Sequence, residues 1–131
     1  MDGVAETIEH YRAQTAGLDA MGIIEWSVTT FGASELTLAT SLGAEDQVLT
    51  DLVSRLPHRP SVFTLDTGRL FSETYDLIER VRSKYGIRID VYCPQALQVE
   101  EMVRAHGPNL FYQNVDLRKH CCHVRKVLPL N

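Results

Sequence analysis

Ser61-Val62-Phe63-Thr64-Leu65-Asp66-Thr67-Gly68-Arg69-Leu70-Phe71-Ser72-Glu73-Thr74-Tyr75 decides how this chain is built. Its first five residues are a short apolar run of β-branched and aromatic side chains, which reads as a buried strand. Asp66-Thr67-Gly68 ends the run with turn-forming residues. Ser72 is placed to cap a helix whose positions Tyr75, Ile78, Val81 and Tyr85 recur at helical spacing and face inward, and Gly86 stops it. A second alternating run, Ile87-Arg88-Ile89-Asp90-Val91-Tyr92, then reads as a strand up to the break at Pro94. Strand, turn, helix, strand is a βαβ unit.

The same order extends outward. Upstream, Leu36-Thr37-Leu38-Ala39-Thr40-Ser41 is β-prone and ends on Gly43, and Val48, Leu49, Leu52, Val53 and Leu56 then form one helical stripe closed by Pro57 and Pro60. Downstream, residues 96–106 are helical until Gly107-Pro108, and residues 116–127 form a basic, cysteine-bearing helix. At the start, Val4, Ile8 and Tyr11 mark an amphipathic helix over residues 3–16. Asp19 caps another that carries Ile23, Ile24, Trp26 and Val28 and stops at Gly32. The expectation is an α/β fold, a parallel twisted sheet with helices on both faces. With no repeat or linker, residues 1–131 read as a single nucleotide-binding domain, with two N-terminal helices at about 3–32 and the α/β part from about 35.

Composition narrows the function classes. Of 131 residues, 44% are hydrophobic and 23% charged, as in an ordinary globular protein, and the net charge of −4 comes without any basic run suited to nucleic acid. The acidic start lacks a signal pattern and no apolar run is long enough to span a membrane, so a cytoplasmic protein is expected. The three cysteines, Cys93, Cys121 and Cys122, do not form a disulfide framework.

Chemistry belongs at the carboxyl ends of the strands. Ser41-Leu42-Gly43-Ala44, ahead of Glu45-Asp46, is a small turn at a helix start where amides and the Ser41 hydroxyl can meet a phosphate or sulfate. It is not a Walker loop, and taken alone it also reads as an ordinary strand–helix turn. Leu65-Asp66-Thr67-Gly68 offers exposed main chain to an adenine edge, with Asp66 free to orient a neighbour or a ribose hydroxyl. It equally fits a plain turn. Cys121-Cys122 lie among Arg118, Lys119, Arg125, Lys126 and two histidines, a setting that favours thiolates or an anion. Alone the pair is an incomplete metal site or two incidental cysteines on a solvated helix. Cys93 reads as buried core at a strand end, without a role.

Together, Ser41–Asp46, the D-T-G-x-x-x-x-E-T string of residues 66–74 and the C-C-x-x-R-K string of residues 121–126 resemble the sulfonucleotide reductases, the adenylyl-sulfate and phosphoadenylyl-sulfate reductases. The resemblance covers nearly the whole chain from about Leu36, with departures at Arg118, where some members have histidine, and at Leu128, a position usually charged or polar. It implies an adenine nucleotide alpha hydrolase-like fold, related to the PP-loop pyrophosphatases. It also implies reduction of adenylyl sulfate to sulfite and AMP with electrons from thioredoxin or glutaredoxin, in sulfate assimilation and cysteine biosynthesis. Carried over, Ser41, Leu42, Gly43 and Ala44 match the phosphate or sulfate loop, and Leu65, Asp66, Thr67 and Gly68 match the adenosine-side loop. Lys126 matches the lysine between cluster and nucleotide. Cys121 and Cys122 match two of the four ligands of a [4Fe–4S] cluster, a match that favours adenylyl sulfate over its 3′-phosphorylated form. A later C-x-x-C pair and a terminal E-C-G segment with the nucleophilic cysteine are also implied, and neither lies in these residues. No catalytic residue is therefore assigned, and the expectation is an incomplete domain, inactive as an isolated chain, with two ligands that do not hold a cluster unless chains pair. Alternatives at this point are a phosphoadenylyl-sulfate reductase, an inactive adenine-nucleotide-binding fragment, and a metal- or redox-sensing protein using the cysteine pair.

Overall fold

The computed structural model describes residues 2–131. Six α-helices among them are α1 (Asp2–Thr15), α2 (Ala20–Phe31), α3 (Ala44–Ser54), α4 (Ser72–Tyr85), α5 (Ala96–His106) and α6 (Val115–Cys122). Three strands, β1 (Thr37–Ala39), β2 (Ser61–Leu65) and β3 (Ile89–Tyr92), form one parallel sheet in the order β1-β2-β3. Leu38, Val62 and Ile89 stand in one row across it. The expected α/β class and parallel sheet are both observed.

Local chemistry accounts for most boundaries. Asp19 caps α2 by accepting the Gly22 amide at 2.8 Å, and Gly32 (φ +87°) ends it. Gly86, in the left-handed region at φ +60°, closes α4 and donates its amide to Arg82. Asn114 caps α6 through the Leu117 amide. Ser72, expected as a cap, is instead the first helical residue of α4. The extended residue ahead of it is Phe71, so the Ser72 hydroxyl turns to Glu73.

The main core packs α4 against one face of the sheet: Ile78 and Val81 meet Leu42, Val62, Ile87 and Ile89, with Leu38 and Tyr85 at the margin. Thr64 is buried on that face too. The opposite face is more open, with Phe63 and Leu65 half-buried and Ala39 and Tyr92 exposed. In α3 the buried side is Thr50 and Val53, continued by Leu56, whereas Val48 and Leu49 are exposed. The expected stripe is therefore rotated by part of a turn. A second core joins α5 to α6 through Met102, Leu110, Cys121 and Val124. Leu110 is fully buried, and burial of a leucine contributes about 1.5–3 kcal/mol. The N-terminal pair is held by Tyr11, Trp26 and Phe31, packed edge-on at 5.3–5.7 Å. Of the stripe expected on α1, Tyr11 takes part in that packing, while Val4 and Ile8 are exposed.

Candidate functional site

Parallel strands place their carboxyl ends on one edge, so the loops after Ala39, Leu65 and Tyr92 are neighbours. The first is already internally bonded. The Ser41 amide and hydroxyl both donate to the Asp46 carboxylate at 2.6 Å, the Leu42 amide to the Thr40 hydroxyl at 3.0 Å, and the Gly43 amide to the Ser41 hydroxyl at 3.3 Å. These bonds hold the Asp46 carboxyl below the ordinary carboxylate range, the Ser41 hydroxyl contributing most. Leu42 takes a left-handed backbone (φ +65°) yet buries its side chain in the main core. An anion here meets the first-turn amides of α3, from Ala44 onward, and competes with Asp46 for Ser41.

The loop after β2 is equally determined. Asp66 accepts the Gly68 amide at 2.7 Å and the Tyr75 hydroxyl at 2.9–3.0 Å. The Asp66 carboxylate therefore braces its own turn and pushes the Tyr75 phenol above its ordinary range, the hydrogen bond being the main cause. Tyr75, expected to face inward, is instead 41% exposed, because its hydroxyl reaches back to the strand end. Gly68 sits at φ +71°, where a side chain is strained. Arg69 bonds to the Pro108 carbonyl and Asn109 side chain and lies 4.7 Å over the Phe111 ring. It thereby ties the strand end to the segment leading into α6.

α6 does not end in a regular turn. It runs into a π-helical turn, His123–Val127, of the widened kind often found at functional sites. Cys121 is buried in the second core and Cys122 is exposed, both as free thiols. Arg125 is only 8% exposed, with Nη1 2.6 Å from the Thr67 carbonyl and Nε without a partner. A cavity of about 250 Å³ lies between the turn and the helix, lined by Thr67, Phe111, Cys121, Cys122 and the cations Arg69, Arg118, Arg125 and Lys126. Among the described residues no carboxylate lines it. A larger concavity, about 670 Å³, opens near Pro57–Ser61 and Gly86–Arg88, at the amino ends of β2 and β3. The smaller one is the better candidate, since it lies at the carboxyl ends and gathers the charge.

Of the residues singled out from sequence, Thr67, Cys121, Cys122 and Lys126 come together in this cavity. Leu65, Asp66 and Gly68 form the strand end and turn beside it. Ser41, Leu42, Gly43 and Ala44 lie on the same edge of the sheet but do not line it. Cys93 is exposed rather than buried, lying one residue beyond the end of β3, whose last residues Val91 and Tyr92 are exposed as well. Sequence reading gave no role to Arg69 or Phe111 and took Arg125 only as one of the cations around the cysteine pair. Arg125 carried one usable signal, its spacing of four from Cys121, which puts both on one helical face.

Two thiols are half of what a four-thiolate iron–sulfur cluster needs. Among the described residues no group of three or more His, Cys, Asp or Glu side chains is disposed to hold a metal. These residues alone therefore do not fit a complete cluster. No helix among them is long and apolar enough to cross a membrane.

Residues 35–131 match the family described as phosphoadenosine phosphosulfate reductase domain. Among curated relatives, adenosine 5'-phosphosulfate reductase of Burkholderia cepacia is 46% identical over 97 residues, covering 74% of this chain and 39% of that protein. The protein of the same name from Allochromatium vinosum is 50% identical over 97 residues, covering 72% and 37%. Probable 5'-adenylylsulfate reductase 1, chloroplastic, of Oryza sativa is 44% identical over 115 residues, covering 87% and 23%. The chain thus spans about two-fifths of the length of these bacterial relatives. With the family match covering most of the chain, the turns after β1 and β2 and the paired cysteines of α6 belong to a member of the phosphoadenosine phosphosulfate reductase domain family.

Proposed function

We propose that this chain is the nucleotide-binding part of an adenylyl-sulfate reductase acting in sulfate assimilation and cysteine biosynthesis. The observation that carries the reading is the carboxylate-free cavity in which Arg69, Arg118, Arg125 and Lys126 converge between the turn after β2 and the Cys121–Cys122 pair. Four cations around so small a volume suit an anionic group at the end of a nucleotide, which would relieve their mutual repulsion. In this reading main chain at Leu65, Asp66, Thr67 and Gly68 borders the adenosine. The Ser41–Ala44 turn and the amino end of α3 serve the phosphate side, and Lys126 faces the sulfate.

The overall reaction consumes adenylyl sulfate and a dithiol and yields sulfite, AMP and a disulfide. A cysteine thiolate attacks the sulfate sulfur and the S–O bond breaks, AMP leaving with the electron pair. A thiol of thioredoxin or glutaredoxin then attacks the thiosulfonate, sulfite departs, and a second thiol closes the disulfide. The cations stabilise charge on the departing groups. None of Cys93, Cys121 and Cys122 is assigned as this nucleophile. Cys121 and Cys122 are proposed as two ligands of a [4Fe–4S] cluster, the others coming from outside these residues or from a second copy of the chain. Three free thiols suit the cytoplasm, the compartment proposed.

Calorimetry with adenylyl sulfate, AMP and phosphoadenylyl sulfate tests the reading on this chain. The expected result is binding of the first two, with the 3′-phosphorylated compound at least about tenfold weaker, a difference of about 1.4 kcal/mol. No heat from adenylyl sulfate or AMP at millimolar concentration would sink it. Equal or tighter binding of phosphoadenylyl sulfate would move the assignment to that substrate. Binding without sulfite release in the presence of reduced thioredoxin would identify a nucleotide-binding module, a reading favoured by the cavity having no thiol besides the proposed ligands.

A further inference from the structure

We infer that Arg125 is a positioning residue that couples the turn after β2 to the cysteine pair, so that displacing the turn changes the setting of Cys122. Three features of the structure point to it. The guanidinium is buried, yet Arg125 takes part in none of the ion pairs among the described residues. Its Nη1 instead donates to the Thr67 carbonyl at 2.6 Å, across 58 positions of sequence, while Nε is left without a partner. A buried cation held by one carbonyl is a costly arrangement, and an apolar residue would fill the same space more easily. The Thr67 contact is what the arginine adds.

The turn it grips is itself rigid. The Gly68 amide is bound to Asp66, and Asp66 is bound by Tyr75. Gly68 also leaves the space that the guanidinium uses, since a Cβ there would come 3.3 Å from Nη1 at a backbone φ of +71°. The turn therefore cannot slide past Arg125 without moving it. Arg69 reaches Pro108 and Asn109, ahead of α6, whereas Arg125 lies on the π-helical turn directly continuous with Cys121 and Cys122. A shift at Thr67 thus passes through one hydrogen bond into the turn that carries the thiols.

The test is a double-mutant cycle read by the rate at which iodoacetamide alkylates Cys122, followed by mass spectrometry at fixed pH. Gly68→Ala strains the turn and brings a Cβ to 3.3 Å from Arg125 Nη1 without touching either cysteine, and is expected to change the rate on the order of fivefold. In an Arg125→Met background the same substitution should change it less than about twofold. A merely structural arginine would lower the melting temperature of Arg125→Met and leave the response to Gly68→Ala intact, and that result overturns the proposal. Should Arg125→Met not fold, Arg125→Lys and Arg125→Gln take its place. Both keep a donor of shorter reach, so coupling undiminished in both overturns the proposal as well.

A second arm replaces Gly68→Ala with saturating AMP and rests on the proposed nucleotide reading. AMP that binds both chains by calorimetry and shifts the Cys122 rate in the wild-type chain but not in Arg125→Met supports the coupling, and AMP that binds the wild-type chain without shifting the rate overturns it. Failure of AMP to bind counts against the nucleotide reading alone, because the Gly68 cycle decides the coupling without ligand.

Discussion

Replacing Leu42 by alanine should cost about 3 kcal/mol of folding stability, and replacing it by glycine should cost less. Leu42 is 7% exposed and packs with Val62, Ile78 and Val81, so truncation to alanine removes a core side chain and leaves a cavity. Such changes cost about 2.7–5 kcal/mol where the surroundings relax poorly, and the lower end suits a side chain entering from a loop. Its backbone, however, is left-handed at φ +65°. Holding an L-residue there costs about 1–2 kcal/mol, and glycine is free of that strain. Elsewhere glycine is about 0.5–1 kcal/mol worse than alanine. At position 42 the two effects oppose, and Leu42→Gly should be about 0.5–1 kcal/mol more stable than Leu42→Ala. Urea melts followed by far-UV circular dichroism read this directly. With a slope of about 1–3 kcal/mol per molar urea, Leu42→Ala should lower the midpoint by about 1–3 M. A glycine variant less stable than the alanine variant would refute the strained-plug account of Leu42. A loss under about 1 kcal/mol for both would refute its place in the core.

Asp46 supplies a pH-dependent contribution: its folded-state carboxyl titrates below the ordinary 3.8, so the stability it adds is present above that value and fades as pH falls through the lower one. Asp46→Asn should therefore lower the melting temperature at pH 7 and have a progressively smaller effect as pH falls below 3.8. An effect independent of pH would mean that the carboxylate charge is irrelevant. Tyr75, with its phenol donating to Asp66, should ionise above the ordinary 10.0. In an absorbance titration at alkaline pH, Tyr75→Phe should remove the component above pH 10.0, and loss of an ordinary component instead would count against the bond. Thr50 is fully buried with its hydroxyl unpartnered. Because Val has the same shape and similar helix propensity, Thr50→Val should stabilise by about 1 kcal/mol, and a loss in a urea melt would show that the hydroxyl is in fact bonded.

Much of this molecule is written locally. The apolar run Ser61–Leu65 is β2 as the sequence reads it, Gly32 and Gly86 stop their helices, and Asp19 caps α2. Each follows from propensities and from hydrogen bonds spanning a few residues, so neighbours along the chain suffice to specify them. The alternation of strand and helix then leaves a parallel sheet as the way to bury those strands. The three segments at the strand ends and on α6, each an ordinary turn or helix when taken alone, stand out only in combination, through their resemblance to the sulfonucleotide reductases.

Contacts between distant segments were not legible in that way. Helical periodicity marks an apolar arc without saying which part of it meets the sheet, so Val48 and Leu49 are exposed while Thr50 is buried. Tyr75 has the spacing of a core residue, but its hydroxyl is drawn to Asp66, nine positions earlier. Cys93 has the composition of a buried position, yet only packing across the end of β3 would have covered it. Arg125 reads as one more charge on a basic helix until tertiary structure places the Thr67 carbonyl 2.6 Å away. Local pattern suffices for the elements and their order, because these depend on energies summed over a turn or a strand. Which side chains are buried, which donors are already taken and which cations share a cavity emerge with the packed fold. Those depend on pairs brought together across the chain, and a local pattern carries no record of them.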